Sequence, residues 1–567
     1  MNSKIYLVFL LIAFFELISS RTITTSDLEA ALSEANPGDT ILLKLGQYYR
    51  VPYRLKNGTE GKPITIKSAP NAPVTFSGTS TKCIFEADYI HDVVIEGPMV
   101  LQNALCGLKM LNSRNVNITG LSISNVKREA ILMSGHNIHI YKNAIDLCVK
   151  ENEKTAKTKA SGWNQCVSIV GLGDKDFSTN ILVEGNLISH SYGESLRFSR
   201  CENCKVYQNQ MIDGLSSLIL LEASRLIEIF NNTLRVSSNS YNNMFGKASG
   251  IGMTPDLRVS NILGIFIENN VIIGTKIGIH FYLNEKSGGY GEIRILHNTL
   301  WNIEETPVVF QKPNYNSYEC IMINNFFYFN RAGEFEPKTI WELGYNYFYN
   351  TETVPNIYSD STFNRGTSKA VKNADLRIFF NQTSDCKDYY NPFVKIECFR
   401  PGQELFHTGY HIRFEVPFDF EGCERALNTP SIGAFEKPEG CEKEKEIEPP
   451  IIDYDVNFTL NFCPYVGAVM KVVTSKSGWS VKNSPDMTEI VHCWWHLLVK
   501  DGTTQKFSYK FMRFSTITEE ERWEADPIRE FDGKALAKLV SKSTTGEYER
   551  CNYTLSGNVI NYICKWQ

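Results

Sequence analysis

Four side chains near the middle of this 567-residue sequence carry the groups that a β-elimination needs: Arg197, Lys247, His280 and Tyr282. In such a reaction a cation neutralises a carboxylate beside an acidic C–H, a base removes that proton, and an acid protonates the departing oxygen. Arg197 and Lys247 offer the charge, and His280 and Tyr282 offer the base and the acid. Glu222 and Asp256 are hard oxygen ligands of the kind that hold Ca²⁺. Glu222, Arg225 and Gln311 lie in neighbouring segments and are expected to bind the polar groups of an extended ligand. A glycoside hydrolase needs instead two carboxylates flanking one bond. Glu222, Asp256 and Glu285 are available for that chemistry, but no paired aspartates stand out.

These residues are spread over about 120 positions, so the question is what brings them together. A recurring phrase answers it. Short apolar runs end at a turn asparagine and restart, as in Val206-Tyr-Gln-Asn209, Ile229-Phe-Asn-Asn232, Ile267-Glu-Asn-Asn270, Ile295-Leu-His-Asn298 and Ile323-Asn-Asn325, with earlier copies at Asn143 and Asn186. Asn186, Asn209 and Asn232 are 23 apart, and the later steps are 28 and 27. Such a period marks a solenoid; a propeller blade needs about 40 residues. Runs rich in Val, Ile and Phe, with no room for a crossover helix, predict an all-β fold: a right-handed parallel β-helix of short stacked strands. Asparagine suits its corners, because it tolerates left-handed backbone and its amides can bond from coil to coil. Aligned on the asparagines, Leu196–Ser199, Leu218–Glu222, Ile251–Thr254, Ile279–Tyr282 and Val308–Gln311 fall in register. Arg197, Gly252 and His280 then point outward on one face, with Gly252 leaving room between larger neighbours.

Two steps are long, 43 residues from Asn143 to Asn186 and 38 from Asn232 to Asn270. Their excess falls in the polar stretches 150–159 and 237–246, expected as inserted loops that shape a binding face. Lys247, at the end of the second, is expected to overhang the stripe.

The remaining segments set boundaries. Residues 1–20 read as a secretory signal peptide, with Lys4, an apolar stretch and small residues before the expected cut. No later run is long and apolar enough to span a membrane. A net charge of −5 gives no reason to expect nucleic acid, and 15 cysteines with six Asn-x-Ser/Thr acceptors suit a secreted, disulfide-bonded glycoprotein. Residues 21–436 form the solenoid. Ser26-Asp-Leu-Glu29 predicts a capping box opening an amphipathic helix with Leu28, Ala31, Leu32 and Ala35 on one face, covering the open end of the stack. The charged, proline-ended stretch 437–450 is a linker. Residues 451–567 form a small cysteine-containing module, β-rich or α+β, with Thr518–Arg522 and Gly533–Val540 as candidate short helices. Cys201-Glu-Asn-Cys204 lacks a second ligand pair for zinc and reads as stacked thiols or a disulfide. Trp494-Trp495 reads as core packing ahead of a sugar platform.

Asp27-Leu-Glu-Ala-Ala-Leu, Pro37-Gly-Asp-Thr-Ile, Gly58-Thr-Glu-Gly-Lys-Pro-Ile-Thr-Ile-Lys67, Val93-Val-Ile-Glu-Gly97 and the ending Ile432-Gly-Ala-Phe-Glu436 resemble the pectin-lyase-like β-helix superfamily. Within it they are most similar to the chondroitinase B and alginate lyase branch. The resemblance implies the β-helix fold and a polysaccharide ligand, but it leaves lyase, hydrolase, epimerase and non-enzyme open. That branch places a catalytic lysine ahead of its Asn-Thr turn, and the matching turn here, Asn232-Thr233, has Ala223 at that offset with Arg225 nearby. The branch's Arg-His-Gly has no match. The expectation is a secreted protein that acts on extracellular polysaccharide as a lyase. A non-catalytic surface or matrix protein that only binds glycan is the competing class.

Overall fold

The structure is a computed structural model. It describes residues 22–49, 52–154, 163–173, 176–237, 248–255, 262–282, 289–310, 320–329, 336–337, 341–349, 368–371, 379–380, 395–410, 416–426 and 428–440, together with the backbone of strands between 455 and 565. The chain divides into two compact units, residues 1–410 with 418–440, and residues 411–417 with 441–567.

The first unit is the expected right-handed parallel β-helix. Every strand pairing described in its sheet is parallel, and strands in the middle of the stack bond the strand one coil before and one coil after. Three sheets result. The first runs through Phe85–Asp88, Val167–Val170, Leu196–Ser199, Ser217–Glu222, Ser249–Thr254, Ile277–Phe281 and Thr306–Phe310. The second includes Ser178–Glu184, Cys201–Tyr207, Arg225–Phe230, Ile262–Glu268 and Tyr290–Leu296. The third includes Leu187–Ser191, Gln210–Gly214, Thr233–Arg235, Val271–Ile273 and Thr299–Ile303.

Alternation along each strand builds the core. Phe85, Leu108, Ile131, Val167, Leu196, Ile219, Ile251, Ile279 and Val308 stand in one register row and are fully buried. Each contributes roughly 1.5–3 kcal/mol by leaving water. A shift of one residue would move the whole row to solvent, so the register is strongly specified.

Asparagines 143, 186, 209, 232, 270, 298, 325 and 346 form one continuous buried ladder. Each side-chain amide donates to the next amide oxygen at 3.0 Å. The left-handed backbone is not at these asparagines but one residue earlier, at Lys142, Gly185, Gln208, Asn231, Asn269, His297, Asn324 and Tyr345.

The N-terminal end is covered by the helix Leu28–Glu34, whose Leu28, Ala31 and Leu32 are buried with the following Ala35. The helix cap differs from the expected one. Asp27, not Ser26, is the N-cap, and its carboxylate accepts from Ala30 N at 3.2 Å. The strand Thr22–Thr25 pairs with Thr40–Leu43, and Thr25 Oγ1 accepts from Asp27 N at 2.8 Å, so the chain turns into the helix one residue later.

At the other end, residues 395–410, 418–426 and 428–440 close the unit. Trp301 and Tyr328 from the third sheet stack with centroids 4.5 Å apart, in one cluster with Phe380, Phe399 and Phe435. Arg425 is buried there. Its guanidinium donates to Glu436 Oε2 at 3.1 Å, to Asn269 Oδ1 at 2.7 Å and to the carbonyls of Gly433 and Ala434. Disulfides join Cys83 to Cys106 and Cys148 to Cys166, and Cys398 and Cys423 are also disulfide-bonded. Cys201 and Cys204 are buried free thiols, and burial followed by the neighbouring Cys204 pushes the Cys201 thiol up.

In the second unit, Asp455–Asn461, Thr488–Val491, Trp494–Val499, Thr545–Tyr548, Cys551–Ser556 and Val559–Lys565 form a six-stranded sheet. A four-stranded sheet accompanies it. Glu521–Trp523 is a strand paired with Met512–Phe514, which removes the helix expected over 518–522. Gly533–Val540 lies outside the described residues.

Candidate functional site

The outward positions of the first sheet form a register row: Glu86, Lys109, Leu132, Ser168, Arg197, Leu220, Gly252, His280 and Val309. Beside it runs Val170, Ser199, Glu222 and Thr254. Arg197, Gly252 and His280 therefore share one row as expected, with Glu222 one position along.

Arg197 is not a free cation. Its Nε donates to Glu222 Oε2 at 3.1 Å, Nη2 makes a second short contact to the same oxygen, and Nη1 donates to Gln165 Oε1 at 3.0 Å. Burial alone would raise the Glu222 carboxyl. Arg197's charge and hydrogen bonds, with help from the Ser199 hydroxyl and Arg200, outweigh that and hold it below the usual carboxylate range. Glu222 is thus ionised but engaged. Among the described residues no group of three or more His, Cys, Asp or Glu is arranged to hold a metal ion. Asp256, the expected partner of Glu222 for Ca²⁺, lies outside the described residues, as do Lys247, Gln311 and Glu285.

His280 and Tyr282 come together. Their rings are 3.7 Å apart between centroids. Burial, then the nearby Lys276 charge, pushes the imidazole down to about 4, so it is neutral at ordinary pH. Among the described residues its Nδ1 is buried with no hydrogen-bond partner. The Tyr282 hydroxyl sits 3.4 Å from both Ser217 Oγ and Ser249 Oγ. Gly252 leaves room between larger neighbours, as expected, and the structure shows what takes up that room. A Cβ there would come within 2.6 Å of Ser217 Oγ and 3.0 Å of the Tyr282 ring. The space over the glycine is filled by Tyr282, which folds back across it, instead of standing open to a ligand.

Arg225 is also corrected. It belongs to the second sheet, in register with Glu202 and Leu263, and donates to Glu202 Oε2 at 3.0 Å with its guanidinium over the Phe177 ring. Proximity in sequence to Glu222 does not survive the corner between the two sheets.

The sequence reading missed Trp163, Gln165 and Glu194. Gln165 is buried, and its Oε1 receives both Arg197 and Ser168 Oγ, the latter at 3.4 Å. Its Nε2 donates to Trp163 O at 2.9 Å, and Trp163 Nε1 donates to Glu194 Oε2 at 2.7 Å. The available signal was the long Asn143–Asn186 step closed by Cys148 and Cys166.

Residues 23–91 match the family model of chondroitinase B. No curated protein matches the chain in sequence. Among solved structures, an alginate lyase from Paenibacillus sp. str. FPU-7 shares 17% identity over 53% of this chain and 98% of its own, with TM-score 0.36. The pectate lyase Pel9A shares 15% over 74% and 97%, with TM-score 0.42. PfbA, a surface adhesin of Streptococcus pneumoniae, shares 12% over 60% and 83%, with TM-score 0.40. The opening segment of this chain resembles chondroitinase B in particular.

Proposed function

We propose that this protein engages extracellular polysaccharide along the first-sheet face and cleaves uronate-containing chains by β-elimination at His280 and Tyr282. The observation that carries the reading is the neutral imidazole of His280 in ring contact with a phenol. A neutral histidine is the form that accepts a proton. His280 takes the C5 proton of the uronate, the C4–O bond breaks, the C4=C5 double bond forms, and the Tyr282 hydroxyl protonates the leaving oxygen. Arg197 stands three rungs away, about 14 Å at the spacing of adjacent strands, and so contacts a different sugar of the same chain. Lys247 is the cation assigned to the reacting carboxylate, with Ca²⁺ as the alternative. The disulfides fit an extracellular setting.

A binding-only protein is favoured by a different observation. Arg197 is neutralised within the fold, and Tyr282 covers the Gly252 gap. One experiment separates the two. The protein is incubated with a panel of uronate glycans, with and without Ca²⁺, while unsaturated ends are followed by ultraviolet absorbance and reducing ends in parallel. The lyase gives absorbance, and His280→Ala and Tyr282→Phe each lower kcat by about 100-fold or more. Glycan binding without product leaves the binding-only reading. Reducing ends without absorbance indicate hydrolysis. Product formation unaffected by either substitution removes His280 and Tyr282 from the site.

A further inference from the structure

We propose that Asn117 is an N-glycosylation site, and that its oligosaccharide stands on the outer face of the second sheet, away from the first-sheet face. The site holds whether or not the first-sheet face binds polysaccharide.

Six Asn-x-Ser/Thr acceptors occur in the sequence, and the side chains of Asn57, Asn117 and Asn231 lie among the described residues. The modification places a bulky polar chain on the amide nitrogen, so a folded protein carries it only where the amide faces solvent. The three acceptors differ in this respect. Asn57 is exposed, but its Oδ1 accepts from His91 N at 3.1 Å and its Nδ2 donates to Tyr89 O at 3.5 Å. Asn231 is only partly exposed, and its Oδ1 is buried. One coil on, the same corner meets the closing segment, where Asn269 Nδ2 donates to Phe418 O. Asn117 is exposed, and its side chain enters no hydrogen bond among the described residues.

The strand explains the exposure. Asn117 belongs to Leu108–Ser124, whose segment 114–119 pairs with His136–Tyr141 and through it with the second sheet. Alternation buries Val116 and Ile118 in the core and turns Asn117 and Thr119 outward. The amide and the hydroxyl that define the acceptor therefore share one face. On the coils before it, the same register row holds Thr40, Thr65 and Val94, all short side chains. On the coil after it stands His139, whose Nε2 is bonded to Glu184 Oε2 at 2.9 Å, one coil further still. That contact draws the imidazole away from Asn117.

The donor is a lipid-diphosphate oligosaccharide. Asn117 Nδ2 bonds to the anomeric carbon, the bond from that carbon to the diphosphate oxygen breaks, and the diphosphate leaves with the electron pair. The amide nitrogen gives up one proton and keeps the other. Cys83–Cys106 and Cys148–Cys166 lie on either side of Asn117 in sequence, and such disulfides form in an oxidising secretory compartment, where Asn-x-Thr acceptors are modified.

The test uses the full chain secreted from cultured eukaryotic cells. N-glycans are released by an amidase in heavy-oxygen water, which leaves a labelled aspartate at each modified asparagine, and peptides are read by mass spectrometry. Label is expected at position 117 in most molecules and not at 231. Asn117→Gln and Thr119→Ala each lose this one glycan, whereas Thr119→Ser keeps it. Asn117→Gln leaves any glycan binding or product formation of the wild type within about twofold, because the two faces are separate. Unlabelled Asn117, in protein from the medium or from inside the cells, overturns the site, as does label at 117 that survives Thr119→Ala. Label at Asn231 in the folded protein overturns the selection of acceptors by exposure. None of these readouts depends on a polysaccharide ligand, so the site and the polysaccharide reading fail separately.

Discussion

Two asparagine ladders climb this β-helix at different corners, and they use the same side chain for opposite purposes. The first, from Asn143 to Asn346, is buried, and its asparagines have ordinary backbone while the residue before each is left-handed. The second joins Asn115, Asn137, Asn180 and Asn203 on the surface. Asn137 donates to Asn115 at 3.0 Å, Asn180 to Asn137 at 3.0 Å and Asn203 to Asn180 at 2.6 Å, and Asn115 donates to Asp92. Here the asparagines themselves are left-handed, with φ between 52° and 56°. In the buried ladder the amide saturates backbone groups that water cannot reach. In the exposed ladder the amide bonds compete with water, and the residue's main contribution is its tolerance of the turn. The exposed ladder stops where Leu226, Gly264 and Glu292 take the same left-handed position, which confirms that the turn persists without the amide.

The largest effect follows from breaking the buried ladder. Asn232 Oδ1 accepts from Asn209 N and Asn209 Nδ2, and its Nδ2 donates to Val206 O, Phe230 O and Asn270 Oδ1, all within 2.8–3.0 Å. Asn232→Ala strands several of these groups in the interior, and unpaired buried polar groups cost roughly 1–3 kcal/mol each. The expected loss is about 3–5 kcal/mol, read as a lower midpoint in guanidinium unfolding followed by circular dichroism. A loss no larger than that of Asn137→Ala would erase the distinction between the ladders.

Next in size is a pH effect at a position where the first ladder departs from asparagine and glycine. His297 is left-handed and precedes Asn298. Its Nε2 accepts from Asn324 Nδ2 at 3.1 Å, which puts its proton on Nδ1, donated to Ser431 O at 3.1 Å. Burial first, and then the Arg425 charge, hold this imidazole well below its ordinary value despite the Ser431 carbonyl. Its folded pKa lies below the unfolded one, so below about pH 6.5 the unfolded chain takes up a proton that the folded chain does not. Stability is therefore fully present above that pH and falls as pH drops, by up to about 1.4 kcal/mol per unit for this group. His280 adds a slope of the same sign. Unfolding midpoints at pH 7.5, 6 and 5 give the slope, and His297→Asn, which suits the left-handed turn, is expected to flatten it. An unchanged slope in that variant excludes His297 as its source.

The buried ladder was legible in the sequence because its members follow apolar runs in register, and periodic burial is what periodic sequence reports. The exposed ladder was not, since Asn115, Asn137, Asn180 and Asn203 are surface asparagines whose neighbours vary freely. The site divides in the same way. Register placed Arg197 and His280 on one row, because strand alternation is local. It did not reveal that Glu222 neutralises Arg197, or that Tyr282 turns back over Gly252, because both depend on side-chain packing between coils. Arg225 was misplaced for want of the corner at Ala223, a left-handed alanine that carries the chain from the first sheet into the second.

A smaller effect is expected on the exposed ladder. Asn137→Ala forces a β-carbon-bearing residue without asparagine's tolerance into φ 54°, at a cost of about 1–2 kcal/mol. Asn137→Gly keeps the turn, loses only exposed amide bonds, and should lie within about 0.5 kcal/mol of wild type. If glycine is as harmful as alanine here, the amide rather than the turn carries the exposed ladder.

The smallest effect gives the sharpest contrast, because it compares adjacent residues. Asn231 is left-handed, and its side-chain Oδ1 is buried without a hydrogen-bond partner among the described residues, whereas every polar atom of the Asn232 side chain is bonded. Asn231→Gly supplies the left-handed backbone without strain and removes the stranded oxygen, a gain offset by glycine's greater freedom in the unfolded chain, roughly 0.5–1 kcal/mol. The net change should be near zero or slightly stabilising, while Asn232→Gly loses several kcal/mol. Unfolding midpoints of the two glycine variants decide it. Equal losses would mean that the corner responds to asparagine at either position. A loss confined to Asn232 separates the residue that turns the chain from the residue that fills the corner with hydrogen bonds.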